Sequence, residues 1–370
     1  MLRIHILNVG HGDSAVLEFQ GADGSKSFAV IDSNCSPGST PRALSLLQSL
    51  GATQLSFVAI THPHADHYMG MRDILECFSG NIETLYTFPI RQERQDIQRL
   101  VSAYKAHAES TDDKDQQKRS LELAYILLKA RSAATYWEDP TGTKTTVTAS
   151  GFDGVQISTL LPPAKVKGDF DRMLAGNLEP ENPKLNDLSM AFLVEYAGQK
   201  VILGGDGTYS NWMYQANRWK RNGEECSSVA VKLPHHGSKH DCNSMVLNVL
   251  FGDEQNQHAN AVACISANGK THPAPEVLDE IVRRGIRPYC TNLARRCGAN
   301  RRNLVTAQQT DPVLLRLLNS ASVDTDSSSQ SCQGDIVLEL SIGEPLKVAT
   351  QHANLCPLRG DFDFLGGLIH

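Results

Sequence analysis

No Cys-x-x-Cys pair occurs in this 370-residue chain; its nine cysteines stand singly. An odd, scattered set does not make a disulfide framework and suits a reducing cytoplasm, the expected location. No apolar run reaches the roughly 18–20 residues of a membrane span, so no membrane association is expected. The start, "MLRIHILNVG", lacks a small-residue cleavage site and reads as a strand rather than a signal peptide. Neither sign of charge dominates: the net charge of −6 and pI of about 6.1 give no global pull toward nucleic acid or lipid. There is no short-period repeat. What remains is ordinary for a globular chain, 41% hydrophobic with a mean hydropathy of −0.29.

The N-terminal third is clearly punctuated. "LRIHILNV" alternates, and "SAVLEF" and "SFAVIDS" follow Gly-containing turns, so three strands are predicted. "STPRALSLLQSLGA" has a capping Ser or Thr, Pro41 in the first turn and Gly51 at the end, and is predicted helical. "LSFVAIT" (55–61) is a short buried strand. Residues 90–139 are charge-rich and helix-periodic, and are read as an inserted helical hairpin that acts as a lid, a packing element or a contact for a protein partner. "LSMAFLVEYAGQKVILGGD" predicts a β-hairpin turning at Ala197-Gly198. Residues 286–370 are read as a C-terminal extension carrying a polar low-complexity loop at 319–331. The whole chain is expected to be one α/β domain with mixed sheets covered by helices.

The strand at 55–61 runs into "THPHADH", where His62, His64, Asp66 and His67 fall within six positions. On a loop leaving a strand, an i,i+2 histidine pair can converge on one ion while Asp66 and His67 point at a second. Imidazole suits Zn, Mn, Fe or Ni, and a carboxylate beside it broadens the choice by supplying hard oxygen. The bland alternative is a surface cluster capping the next helix.

"THPHADH" resembles the signature of the metallo-β-lactamase fold hydrolases. "NVGHGDS" (8–14), "VIDSN" (30–34), "NDLSMAFLVEYAGQKVILGGD" and "VKLPHHGS" follow in order. Together they resemble the ComEC-like branch, the metallohydrolase domain associated with DNA-uptake channels; no channel accompanies it here. The resemblance implies a four-layer αβ/βα sandwich with two divalent ions, Zn or Mn, at one edge. It implies His62, His64, Asp66, His67 and Asp206 as ligands, with Asp206 bridging. His235 is assigned to the metals and His236 to catalysis with Asp66, although spacing does not choose between the two histidines. His272, before Pro273, is a last ligand, a phosphate contact or a proton donor.

Many members of that superfamily have a further histidine before the bridging carboxylate; here "LNDLS" stands in its place. Asp187 is the expected oxygen ligand there, with Asn186 behind it. Asp32 and Asp13 are expected to orient ligand histidines. His11, where the ComEC-like pattern often has Gln, and Lys232 with Ser238 are candidate substrate contacts. "RRGIRPYCTNLARRCGANRR" (283–302) carries seven arginines and is a candidate basic rim. Cys290, Cys297, Cys332 and Cys356 match no zinc module by spacing.

The function expected is a metal-dependent phosphodiesterase, a nuclease by resemblance, in which a metal-bridging hydroxide attacks phosphorus. Two alternatives stay open: hydrolysis of a small substrate such as a cyclic nucleotide, lactone or thioester, or a degenerate subunit that binds a partner without catalysis.

Overall fold

The computed structural model describes residues 1–36, 38–88, 94–139, 145–174, 185–224, 227–252, 260–294 and 332–352, with Cys356 and Leu358. The strands β1 (Leu2–Ile6), β2 (Ala15–Gln20) and β3 (Lys26–Ile31) form an antiparallel meander. Then β4 (Leu55–Ile60), β5 (Ile82–Thr87) and β6 (Ala134–Glu138) add in parallel on one side. A second sheet begins with β7 (Thr145–Thr146), β8 (Gln156–Leu161), β9 (Ala191–Tyr196) and β10 (Gln199–Leu203), all antiparallel. It continues in parallel through β11 (Ala230–Lys232), β12 (Val262–Ile265) and β13 (Arg287–Cys290). Finally β14 (Ile336–Leu340) and β15 (Lys347–Thr350) return to the first sheet, β14 pairing with β1.

The period of two decides what each face meets. Along β4, Phe57 and Ala59 face the second sheet, while Val58 and Ile60 face outward to helices. Between the sheets lie Leu2, Ile4, Phe57, Phe192, Val201 and Val262 with their neighbours. The outer face of the first sheet carries α1 (Arg42–Ser49), α2 (Ala65–Tyr68), α3 (Met71–Cys77), α4 (Arg94–Ser110) and α5 (Lys114–Ala133). The helix α6 (Ala164–Leu174) follows β8, and Val166 and Phe170 join that same outer core. The second sheet carries α7 (Tyr209–Asn222), α8 (Ser244–Phe251) and α9 (Pro275–Arg283). The four-layer αβ/βα sandwich is therefore present. The hairpin of β9 and β10 turns at Ala197-Gly198, both at positive φ (54° and 75°), the twist a two-residue turn between right-twisted strands requires.

Two boundaries differ from the sequence reading. The helical stretch ends at Ala133, and 134–138 is the strand β6, so α4 and α5 form the crossover between two parallel neighbours. Buried Leu123, Ala124, Ile126, Leu127 and Ala130 of α5 join the outer core. That makes the helix a wall of the sandwich, and Asp113 caps its start. The segment after 286 is likewise built in: β13 belongs to the second sheet, and Ile336, Leu338 and Leu340 fill the space between sheets. The polar loop at 319–331 and Cys297 lie outside the described residues. No described helix is long and apolar enough to cross a membrane.

At the helix-free end of the first sheet, Glu18 is buried among His5 Nε2 (3.2 Å), Lys26 Nζ (3.0 Å) and Arg3 Nη1 (3.6 Å). The bond from His5 and then the Lys26 pair, against burial, pull its carboxyl down to about 2. A depressed folded pKa stabilises above the unfolded value of 4.5 and loses that contribution as pH falls toward 2. Glu18→Gln is expected to cost about 1–3 kcal/mol at neutral pH. It should also flatten the loss of stability below pH 4.5, as urea unfolding at pH 7 and pH 3 would show.

Candidate metal centre

The carboxyl ends of β3, β4, β10, β11 and β12 reach the same edge of the sandwich, because these strands run parallel within their sheets. The loops leaving them carry Asp32, the 62–67 cluster, Asp206, the His235–His236 pair and His272. The β1–β2 connection, with His11 and Asp13, joins them. Backbone bonds stitch the loops together: Asp13 N donates to Asp66 O (3.1 Å), Met190 N to Thr61 O (3.1 Å) and His235 N to Gly205 O (2.9 Å). A Cβ on Gly12 would sit 2.2 Å from Asp66 O, so only glycine lets these loops close. Asp32, His235 and His236 hold left-handed backbone at φ 56°, 45° and 53°. Such strain costs about 1–3 kcal/mol per residue and persists where surrounding contacts over-determine it.

Asp206 is the centre of this arrangement. Its Oδ1 faces His67 Nε2 (3.4 Å) and His236 Nε2 (3.6 Å). Its Oδ2 faces His62 Nε2 (3.7 Å) and His235 Nε2 (3.9 Å). On the Oδ2 side, His62 Nε2 and His64 Nδ1 lie 3.0 Å apart, and with Asp206 they form one group of converging ligand atoms. On the Oδ1 side, Asp66, His67 and His236 form a second. One carboxylate thus presents one oxygen to each of two histidine sets.

Behind these atoms each histidine has its own support. Asp32 accepts from His67 Nδ1 (2.7 Å), and is held in turn by Thr61 N (2.8 Å) and Thr61 Oγ1 (2.7 Å). Asp13 faces His236 Nδ1 (3.4 Å) and is gripped by the buried ammonium of Lys232. Asp241 pairs with His235 Nδ1 (2.7 Å). A carboxylate on Nδ1 leaves Nε2 with its lone pair toward the centre, the tautomer a metal ligand needs.

Electrostatics show what this donor set fits. Burial alone would raise the carboxyls of Asp206, Asp66 and Asp13, but the facing histidines, with Lys232 for Asp13, hold all three below the ordinary range. Burial favours neutral His236, yet Asp206 and Asp13 outweigh it and lift the imidazole up to about 9. His67 is raised against burial by Asp206 and Asp32, whereas burial leaves His62 well below its usual value. Protons on His67 and His236 therefore stand where cations belong. Asp206 Oδ1, His67 Nε2 and His236 Nε2 are buried with no hydrogen-bond partner, an arrangement otherwise costly in a low-dielectric site. Imidazole nitrogens and carboxylate oxygens converging in this way fit divalent cations.

Several expected roles change. Asp187 leaves the site: its Oδ1 accepts from Thr208 Oγ1 (2.6 Å), on the far side of the short turn at Leu185–Leu188. Asn186 points inward instead, its Nδ2 3.3 Å from His235 Nε2. His236 belongs with the ligands rather than with proton transfer, since its Nε2 faces both Asp66 (3.5 Å) and Asp206. Lys232 is not a substrate contact; it is 5% exposed and bound to Asp13. Ser238 is also buried, and its backbone closes the histidine turn by donating to His235 O (2.8 Å). His11 and His272 do stand at the mouth. The ring of His272 lies 5.8 Å from His235 and 6.1 Å from His236, with Nδ1 buried and unpartnered. In the arginine-rich stretch, Arg283 and Arg284 are committed to Glu280, and residues 295–302 lie outside the described residues. Sequence reasoning passed over Asp241, Thr61 and Asn268. A carboxylate six positions after His235 and a hydroxyl directly before His62 were the available signals.

No protein-family model and no curated protein matches this chain. Among solved structures it is similar to zinc-bound PqqB from Methylobacterium extorquens, at 9% identity over 79% of this chain and 99% of that one, with a TM-score of 0.41. It is similar also to the metallo-β-lactamase fold protein YhfI from Bacillus subtilis, at 10% identity over 78% and 95%, with a TM-score of 0.37. A third is a variant of CmlA β-hydroxylase, at 11% identity and a TM-score of 0.38, covering 79% of this chain; the chain spans about half (52%) of that protein. These likenesses concern the layer arrangement and say nothing of substrate.

Ligation requires neutral imidazole, so cations must displace the protons held on His67 and His236. Metal uptake at pH 7 should release protons, and affinity should rise with pH up to about 9, where His236 loses its proton unaided. Zinc titrations by calorimetry in buffers of differing ionisation enthalpy measure that release directly. Equal heats in all buffers would contradict this charge assignment.

Proposed function

We propose that this protein is a metal-dependent hydrolase of phosphodiesters, with nucleic acid as the favoured substrate class. The observation that carries the reading is Asp206, with one oxygen toward each of two histidine sets. Divalent cations held there would supply Lewis acidity and lower the pKa of a bound water.

The chain's own groups do the rest. His62, His64 and Asp206 hold one position, with His235 and Asn186 beside it; Asp66, His67, His236 and Asp206 hold the other. Asp32, Asp13 and Asp241 fix imidazole tautomers, so the ligands need not reorganise during turnover. His272 stands beside both histidines of the 235–236 pair at the mouth. Burial and the neighbouring histidines lower its pKa, so near neutral pH it is a neutral imidazole placed to hydrogen-bond a substrate oxygen or accept a proton. A phosphodiester fits because divalent cations held by these residues would offset the negative charge of its oxygens.

The small-substrate alternative drew on a helical lid, and α5 is instead built into the outer layer. Its Arg119 carbonyl accepts from Tyr68 Oη (3.0 Å), which braces the turn bearing Asp66 and His67. The degenerate-subunit alternative is disfavoured by the convergence of His62, His64, Asp66, His67, His236 and Asp206.

A turnover panel tests the proposal: single- and double-stranded DNA, RNA, cyclic nucleotides and bis(p-nitrophenyl) phosphate, each with Zn or Mn. Phosphodiester cleavage is expected, falling by at least about 10³-fold in Asp66→Ala and Asp206→Ala, the scale of losing a major electrostatic contributor. Activity surviving both substitutions contradicts the mechanism. Cleavage of lactones or thioesters alone would replace the substrate class.

A further inference from the structure

One chain of contacts at the mouth is not used by the ligand set. Asn268 follows β12, and its Oδ1 accepts three backbone N–H groups, from Lys270 (3.0 Å), Thr271 (2.9 Å) and His272 (2.9 Å). Three donors on one atom identify it as the oxygen, so the other terminal atom is the amide nitrogen. That nitrogen donates to Thr271 Oγ1 (2.8 Å) and lies 3.3 Å from His11 Nδ1. An amide N–H has nothing to accept with, so His11 Nδ1 must supply the lone pair, and the ring proton must sit on Nε2. His11 Nε2 in turn lies 3.3 Å from Asp66 Oδ2, the oxygen that also faces His236 Nε2. Asn34 Nδ2 meanwhile donates to His11 O (2.5 Å) and holds the loop from below.

We infer that Asn268 fixes His11 as a neutral Nε2–H donor, and that His11 is a positioning residue setting the orientation of Asp66. At that oxygen His11 stands closer than His236 Nε2 (3.5 Å) and His67 Nε2 (3.9 Å), both of which the centre claims as ligands, and the main-chain carbonyl of Asp66 is held separately by Asp13 N. The relay Asn268–His11–Asp66 joins the loop that carries His272 to the second ligand group, across two sheets. The Asn268 oxygen is saturated by three amides, its nitrogen is left to donate to His11 Nδ1, and that leaves His11 Nε2 to carry the proton 3.3 Å from Asp66 Oδ2. This inference rests on the metal-centre reading of Asp66 and does not depend on which substrate is cleaved.

Asn268→Asp separates the tautomer from the loop. A carboxylate still accepts the three backbone amides, but it presents an acceptor to His11 Nδ1 and so calls for the proton there, removing the donor from Asp66. Two readouts apply to the full chain. Long-range ¹H–¹⁵N spectra of the metal-free protein report the His11 tautomer, expected Nε2–H in the parent and Nδ1–H in Asn268→Asp. Chelator competition with zinc reports the second equivalent's affinity, expected to fall about tenfold or more in Asn268→Asp and His11→Ala, the scale for losing a partner that orients a ligand. His11→Gln, whose side-chain amide can still donate, should restore most of that affinity. A parent His11 found as Nδ1–H, or unchanged zinc affinity in both Asn268→Asp and His11→Ala, overturns the relay. Absence of phosphodiester turnover in the parent would overturn the substrate reading while leaving these two readouts as they are.

Discussion

A buried carboxylate that no single sheet could hold is the constraint on which the rest of this structure depends. Asp206 is 2% exposed, and four imidazole nitrogens stand within 3.9 Å of its oxygens. Burying it is tolerable only if positive charge is brought to both sides, and the ligands that do so come from both sheets. His62 and His67 arrive on the first sheet and His236 on the second, so the two sheets must pack face to face in one register. The close approach at Gly12, the left-handed backbone at His235 and His236, and the backbone bond from Met190 to Thr61 serve that register.

The surrounding charges repeat the same logic one step further out. Each of His67, His236 and His235 has a carboxylate on Nδ1, and Asp13 needs Lys232 because it too is buried. This explains why the lysine beside the histidine pair is buried against Asp13. An unpaired buried Asp13 would be more costly than a missing surface cation, and the chain spends the ammonium there. His11, His272 and the Asn268 turn stand on the more open side of the centre, groups with donors but little fixed charge.

How much of this was legible in the sequence divides along a physical line. Local signals held: "LSFVAIT" alternates between two cores as a doubly covered strand should, and Ala197-Gly198 turns the hairpin. The density of ligands in "THPHADH" and the strand-end position of Asp206 led to the centre. Non-local facts were beyond reach. Nothing in "ATYWE" says that it leaves a helix to pair with β5, or in "DIVLEL" that it returns to pair with β1. Asp187 and Asn186 are neighbours on a tight turn and point opposite ways, which composition cannot decide. His235 and His236 likewise needed their left-handed backbone before their sides could be told apart.

The central claim is that two cations share Asp206. Anomalous diffraction from crystals grown with zinc measures this most directly. The account predicts two peaks about 3.5–4 Å apart, one among His62, His64 and Asp206, the other among Asp66, His67, His236 and Asp206. A single peak, or two peaks with Asp206 touching neither or only one, would contradict it.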